Sequence, residues 1–273
     1  MSDWDPELYN RFSQYRTEPV TMMLSRLQLG PHERIVDLGC GTGEHTVELA
    51  RRTDEGRVVG IDSSPAMIER ALRLQQTLDV DLRERLQFRL ADFRDLEGDR
   101  EYTVVFSNAA LQWTSGHRRI FAAVFHTLRE NGRLTVQMPA NENETAQFTI
   151  RQMATEPPWK MSLGAVKTPS ADNVLPAADY DRILSEIGFA EVNCFYYTFH
   201  HPMQTPGEVV EFCRSTSLRP FLDLLPAVHH CSFLAELTRR LEAAYGTSGP
   251  LSFNFRRLFL WARRPLDSGE PAN

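Results

Sequence analysis

The chain has 273 residues, 42% hydrophobic and 24% charged, the balance of a globular protein with room for one α/β domain and a sizeable insertion. Its net charge of −6 argues against nucleic acid or an anionic membrane as partner, and no run reaches the roughly 18 apolar residues of a membrane helix. The acidic first residues do not read as a secretory signal, and the four cysteines (Cys40, Cys194, Cys213 and Cys231) lack CxxC spacing, so a reduced cytoplasmic protein without a disulfide framework is expected.

In chain order, Trp4 to Leu27 mixes aromatic and polar residues and is expected to form a flap outside the main sheet. Arg34-Ile-Val-Asp-Leu38 reads as a short buried strand running into the turn Gly39-Cys-Gly-Thr-Gly43, after which Glu44 to Arg52 has a helical period. Arg57-Val-Val-Gly-Ile-Asp62 is a second strand ending in an acid, and Ser63-Ser-Pro65 is expected to cap and start a helix running through Met67. Leu86 to Phe93 gives a third strand whose loop carries Asp92. Tyr102 to Phe106 gives a fourth, running into Ser107-Asn-Ala-Ala-Leu-Gln-Trp113. A helix from Arg118 to Leu128, the Asn131-Gly132 turn and a fifth strand from Arg133 to Met138 follow. Strand and helix alternate throughout, which predicts a doubly wound parallel sheet with helices on both faces.

The remainder is less regular. Asn141 to Ala178 reads as an irregular segment, and Tyr180 to Ile187 as a helix closed by Gly188. Glu191 to His200 and Phe255 to Arg263 read as strands, with helical stretches near Pro206 to Thr216 and Ala227 to Tyr245 between them. Segments at about 1–28, 141–178 and 204–250 therefore lie outside a core of about 30–140 completed by strands near 190–200 and 255–263, and are expected to form a partial lid on a single domain spanning 1–273.

The chemistry concentrates where the first strands end. Gly39, Gly41 and Gly43 let the backbone turn sharply and approach a ligand with no Cβ in the way, and the helix behind them offers oriented N–H groups. A tight turn would explain the glycines by themselves. Asp62 and Asp92 at the ends of the next two strands are harder to explain that way, because parallel strands put all three ends on the edge where nucleotides bind. An acid at the end of the second strand can accept both hydroxyls of a ribose lying over the glycine turn. Asp37, at the end of a buried strand, requires a partner. His200-His201 and His229-His230 provide no metal site, since neighbours on a strand point to opposite faces and no third ligand stands at useful spacing. Cys40 has no base beside it and reads as a packing residue.

Asp37-Leu-Gly-Cys-Gly-Thr-Gly43, Gly60-Ile-Asp62, Ala91-Asp92 and the Asn108 to Trp113 loop together resemble the motifs of the class I S-adenosylmethionine-dependent methyltransferases. The resemblance implies a seven-stranded, mostly parallel Rossmann-like sheet with the last strand inserted antiparallel, and S-adenosyl-L-methionine as cofactor, leaving as S-adenosyl-L-homocysteine. It implies that Asp37 and the glycine turn hold the methionine end, that Asp62 binds the ribose, and that Asp92 and Phe93 flank the adenine. Ser63, Met67, Asn108 and Ala109 complete the expected cofactor set, with Gln112 and Trp113 as positioning residues.

Longer stretches, including Met1 to Pro6, Gly60 to Ile68, Asn108 to Trp113, Val136 to Pro139, Leu218 to Phe221 and Arg257 to Phe259, are similar to the trans-aconitate methyltransferase family. That family esterifies a carboxylate of a small tricarboxylic acid, a group already ionised at neutral pH that needs no general base. The remaining carboxylates call for cationic or donor groups, for which Arg219 and Arg257 lead, followed by Arg16, His201, Tyr180 and Gln112. Asn141-Glu-Asn-Glu144 and Asp179-Tyr180 depart from the family's pattern. A small-molecule acid is thus the expected partner of a monomer or homodimer. An O- or N-methyltransferase for another small acceptor is the alternative, and it would want a base, for which only His117 is close. A cofactor-binding protein without turnover is a third reading.

Overall fold

A computed structural model describes residues 12–96, 98–166, 168–247 and 249–266, and Trp4 and Tyr9 of the expected flap lie outside them. The described residues divide into two compact units, one within 19–138, 175–196 and 258–266 and the other within 12–18, 139–174 and 197–257.

The sheet has strands β1 (Arg34–Leu38), β2 (Arg57–Asp62), β3 (Leu86–Leu90), β4 (Tyr102–Asn108), β5 (Leu128–Pro139), β6 (Ala190–Met203) and β7 (Leu251–Arg263) in the order β3-β2-β1-β4-β5-β7-β6, and β1 to β4 lie wholly in the first unit. β1 pairs in parallel with β2 and β4, β2 with β3, and β4 with β5. Ile35, Val36 and Leu38 of β1 are fully buried, as a central parallel strand covered on both faces must be. The chain turns to opposite sides of β1 for β2 and β4, so the carboxyl ends of these two strands flank the position where such sheets open a ligand crevice. β7 runs antiparallel to β5, with the Asn131 N–H donating to the Arg264 carbonyl and the Ala140 N–H to that of Arg256.

Helix α1 (Ser13–Leu27) precedes β1, and α2 (Glu44–Arg51), α3 (Pro65–Gln76), α4 (Val80–Glu84) and α5 (His117–Thr127) connect the first strands. α2 buries Thr46, Val47, Leu49 and Ala50, an i, i+1, i+3, i+4 stripe that fixes one face against the sheet. The expected serine cap on α3 is absent: Ser64 occupies the N-cap but its side chain makes no capping bond, and its own N–H is taken by Asp62 Oδ1 at 2.8 Å.

β5 differs from expectation. Asn131-Gly132 does not break the chain before the strand but is absorbed within it, as an irregularity between the Tyr102–Leu128 and Val104–Arg133 pairs. The end of β7 makes this possible, because the Arg264 carbonyl accepts from Asn131 N–H and the Arg264 N–H donates to the Gly132 carbonyl, at 3.0 and 2.8 Å. The irregular reading of 141–178 is also corrected, since it contains α6 (Thr145–Ala154), α7 (Lys160–Leu163), α8 (Pro169–Asn173) and the start of α9 (Ala177–Ile187). Ala146, Ile150 and Met153 give α6 its buried stripe, but the acidic run before it and Pro157-Pro158 after it masked so short a period. α9 ends as expected at Gly188, whose φ of 114° lets both Gly188 and Phe189 N–H groups reach the Leu184 carbonyl.

The second unit has a core of its own. α10 (Pro206–Arg214), α11 (Arg219–Leu222) and α12 (His230–Tyr245) follow β6, and α12 packs against α6 and α10. Phe212, Phe221, Phe233 and Phe253 are buried together with Met153, Leu237 and Leu241, and each such side chain contributes about 1.5–3 kcal/mol by leaving water. Trp159 meets Phe233 edge-on at 5.3 Å. Among the described residues no helix is long and apolar enough to cross a membrane.

Asn131 holds φ at 60° inside β5, a conformation that costs a β-branched residue about 1–2 kcal/mol. Urea denaturation should find Asn131→Val less stable by about that amount, with Asn131→Gly at or slightly above wild type; equal stabilities would show that the irregularity relaxes.

Candidate active site

β1 delivers Asp37 and then the glycine turn, in which Gly39, Gly41 and Gly43 take φ values of 75°, 55° and 90°. Gly39 is also a close approach, for a Cβ there would stand 2.2 Å from that of Ala110. β2 aims the turn's amides: Gly39 and Cys40 N–H groups both donate to the Ile61 carbonyl, at 2.8 and 2.9 Å, and Gly41 N–H donates to Asp62 Oδ2 at 3.0 Å. With Oδ1 on Ser64 N–H, the Asp62 carboxylate braces both the turn and the start of α3. Over Gly41 nothing lies within 4 Å of where a Cβ would be, so this part of the turn faces open space.

The partner Asp37 requires is Thr46, which the sequence reading missed. Its Oγ1 donates to Asp37 Oδ2 at 2.7 Å from the buried face of α2. Asp37 is 2% exposed. Burial pushes its carboxyl up to about 7, the Thr46 hydrogen bond opposes this, and the charge of Asp62 adds to it. Burial likewise raises the Cys40 thiol, so no thiolate forms in the turn.

At the end of β3, Asp92 is gripped by Arg94, whose Nε lies 3.0 Å from both carboxylate oxygens and whose Nη2 lies 2.5 Å from Oδ2. These bonds hold the Asp92 carboxyl below its ordinary range. Phe93 opens the short helical turn Phe93–Asp95 and is half-buried. At the end of β4, Asn108 pairs with Gln137, and its buried Oδ1 has no hydrogen-bond partner among the described residues. Ala109 takes φ of 51° and donates its N–H to the Gln137 carbonyl at 2.9 Å. Gln112 is buried and donates to the Ala109 carbonyl at 2.6 Å, whereas Trp113 is 67% exposed. Ser63 and Met67 are exposed at the start of α3. The structure thus brings all the expected cofactor residues to the carboxyl ends of β1 to β4.

The expected acceptor residues divide. Arg219, His201 and Arg257 belong to the second unit. Arg219, at the start of α11, is exposed and its guanidinium makes no ion pair among the described residues. Arg257 is buried on β7, with its guanidinium carbon 4.6 Å over the Phe255 ring. His201 is 1% exposed, stacked on Tyr15 at 4.2 Å, with Nδ1 3.6 Å from the Glu18 carboxylate. Burial, then the charge of Arg257, then His200 bring its pKa down to about 4, so it is neutral at pH 7. Arg16 lies on α1 with its side chain outside the described set.

Tyr180 stands apart from these. It lies in the sheet unit, fully buried, and its hydroxyl is taken up by His117 Nδ1 at 2.5 Å and by the Leu175 N–H at 3.1 Å, a structural environment in place of the acceptor contact expected of it. His117 in turn is 2% exposed, with Nε2 on the Leu111 carbonyl at 2.9 Å, and burial lowers its pKa. Both ring nitrogens are engaged, so this imidazole offers no free base to an acceptor. His200 is exposed and bonds Asn254 while His201 points inward, and no three His, Cys, Asp or Glu side chains among the described residues gather as a metal site.

A methyltransferase-domain family model matches residues 29–184. Trans-aconitate 2-methyltransferases of Paracidovorax citrulli and Methylobacterium radiotolerans are each 36% identical to the chain over 97% of its length and 99% of their own. The chain belongs to the class I S-adenosylmethionine-dependent methyltransferases. Solved structures agree on the fold. The YcgJ protein of Bacillus subtilis aligns with a TM-score of 0.62 at 14% identity, covering 91% of this chain and 98% of its own. A Haemonchus contortus phosphoethanolamine N-methyltransferase 2 with S-adenosylhomocysteine bound aligns with a TM-score of 0.59 at 17% identity, covering 91% and 52%.

The chain is therefore an enzyme whose cofactor is S-adenosyl-L-methionine, and the strand ends of this methyltransferase fit that molecule. The open space over Gly41, the amides aimed by β2 and the unpartnered Oδ1 of Asn108 supply room, donors and an acceptor along one edge. Asp37, Asp62 and the glycine turn are the groups that could hold it.

The Asp37 value has a consequence for stability. An acid at 3.8 in the unfolded chain and about 7 in the folded one binds its proton more tightly when folded. Its contribution is greatest below about pH 4 and falls as pH rises to about 7, with a limiting slope of about 1.4 kcal/mol per pH unit. Urea unfolding of the ligand-free enzyme should show this decline, and Asp37→Asn should remove it; a slope that survives in Asp37→Asn belongs to another group.

Proposed function

We propose that this methyltransferase esterifies a carboxylate of trans-aconitate or a closely related small polycarboxylic acid. The observation that carries the reading is the 36% identity, over 97% of the chain, with enzymes named for that activity. The local chemistry supports it. A carboxylate with a pKa of about 4 is already a nucleophile at neutral pH, and the histidine nearest the β4 loop has both nitrogens engaged. An acceptor hydroxyl or amine would want the base that this loop does not offer.

S-adenosylmethionine, when bound, supplies an electrophilic methyl group on a sulfonium sulfur. We assign its methionine end to Asp37, Gly39, Gly41 and Gly43, its ribose to Asp62, and its adenine surroundings to Ser63, Met67, Asp92 and Phe93. Asn108 and Ala109 complete that set. Gln112 and Trp113 position the acceptor, so that alignment and exclusion of water, rather than proton transfer, lower the barrier. Arg219 and Arg257 are assigned to the carboxylates that are not methylated, for which the guanidinium fork is suited.

Transfer of a labelled methyl group should be saturable with trans-aconitate, weaker with citrate and isocitrate, and absent with a phenol or an amine. Label appearing only on the phenol or amine would replace the acid as acceptor, whatever happens to the cofactor assignment. With trans-aconitate as substrate, Arg219→Gln should raise KM about tenfold or more, the order expected for losing one charge-assisted pair. S-adenosylhomocysteine affinity should stay at the wild-type value in calorimetry, and an unchanged KM would remove Arg219 from the acceptor site.

A further inference from the structure

His117 and Tyr180 are ionisable, deeply buried, and unused by a reaction that needs no base. Their bonds form a chain with fixed ends. The Leu175 N–H can only donate, and it meets the Tyr180 hydroxyl oxygen at 3.1 Å. The Leu111 carbonyl can only accept, and it lies 2.9 Å from His117 Nε2. Nε2 therefore carries the imidazole proton, Nδ1 must accept, and the Tyr180 O–H donates to it across 2.5 Å. These three bonds point the same way, from the Leu175 amide to the Leu111 carbonyl, and bonds aligned head to tail polarise one another.

The receiving end matters because of where Leu111 stands. It opens the short turn Leu111–Trp113, three residues past the end of β4 and next to Ala110, whose Cβ limits the approach to Gly39. Ala109 within the same loop holds a φ of 51° that a non-glycine residue does not keep unaided. Bonds local to the strand ends restrain it, among them Ala109 N–H on the Gln137 carbonyl and Gln112 on the Ala109 carbonyl. The His117–Tyr180 chain is the restraint that reaches Leu175, where the polypeptide re-enters the sheet unit after residues 139–174.

We propose that His117 and Tyr180 are positioning residues for methyl transfer, a one-way hydrogen-bond relay from the Leu175 amide to the Leu111 carbonyl that holds the loop carrying Asn108, Gln112 and Trp113 in its reactive register. The relay rests on the methyltransferase activity and not on which acid is methylated. It is distinct from packing, in which Tyr180 meets Phe121 edge-on at 6.0 Å.

Tyr180→Phe keeps the ring and removes both hydroxyl bonds, while Phe121→Leu disturbs the packing against both rings and keeps every hydrogen-bonding group of the relay. With trans-aconitate as acceptor, Tyr180→Phe should lower kcat about tenfold and speed amide exchange in residues 109–116. S-adenosylhomocysteine affinity should stay within about twofold, and the melting temperature should fall by about 3 °C or less. Phe121→Leu should lower the melting temperature further yet keep kcat and the exchange of 109–116 near wild type. The relay is overturned if Tyr180→Phe leaves exchange in 109–116 unchanged, or if Phe121→Leu loosens the loop as much as Tyr180→Phe does. Exchange is measured without acceptor, so it decides the matter even if wild type proves not to methylate trans-aconitate, an outcome that would sink the acceptor reading alone.

Discussion

Three consecutive amides of the glycine turn are oriented by the end of β2: two by the Ile61 carbonyl and one by the Asp62 side chain. A loop of Gly39 to Gly43 composition would otherwise sample many conformations, since glycine loses more freedom on ordering than any other residue. Tying it to the neighbouring strand makes the turn's shape a property of the sheet. Because β1 is flanked in parallel by β2 and β4, the same register that pairs Leu38 with Ile61 sets where Asp37, Asp62 and Asn108 end up. Asp62 thus does two things at once. It shapes the turn with one oxygen, starts α3 with the other, and has lone pairs left for a ligand.

The electrostatics of this edge are consistent with alignment rather than proton transfer. Two carboxylates stand close together, one of them raised toward neutrality by burial, and a third is neutralised by Arg94. Nearby His117 has no free nitrogen. A sulfonium cofactor carries its own positive charge, so an acidic, aligned and base-poor edge suits a displacement in which the acceptor arrives ionised.

The strand ends were legible because their signals are local. A glycine run after a buried strand and an acid closing each of the next two strands can be read within a few residues, and the strands fell within a residue or two of place on β1 and β2. What could not be read was cooperative. Thr46 is one polar residue on an amphipathic helix until the sheet puts it on Asp37. Arg94 completes Asp92 from two residues away, a signal visible in hindsight. Tyr180 stood among the expected acceptor contacts, and only the fold shows its hydroxyl sealed against His117. The helices within 141–178 were hidden by charge and proline on either side of short apolar stripes, and Asn131-Gly132 by the rule that such a pair ends a strand, which fails when Arg264 is there to bond both residues.

The order β5-β7-β6 also dictates a schedule. β6 emerges from the ribosome with no adjacent strand, because among the described strands its neighbour is β7, encoded after residues 204–250. At roughly 5–20 residues per second, translation leaves both β5 and β6 with bare, sticky margins for several seconds. The nascent sheet must survive that interval before the last hydrogen-bonded rungs close it. Helices α10 to α12, made in that interval, give the chain something to fold in the meantime, although Phe253 joins their core only with β7. Premature stops between β6 and β7 would therefore be expected to yield insoluble chains even though every cofactor motif had already been made.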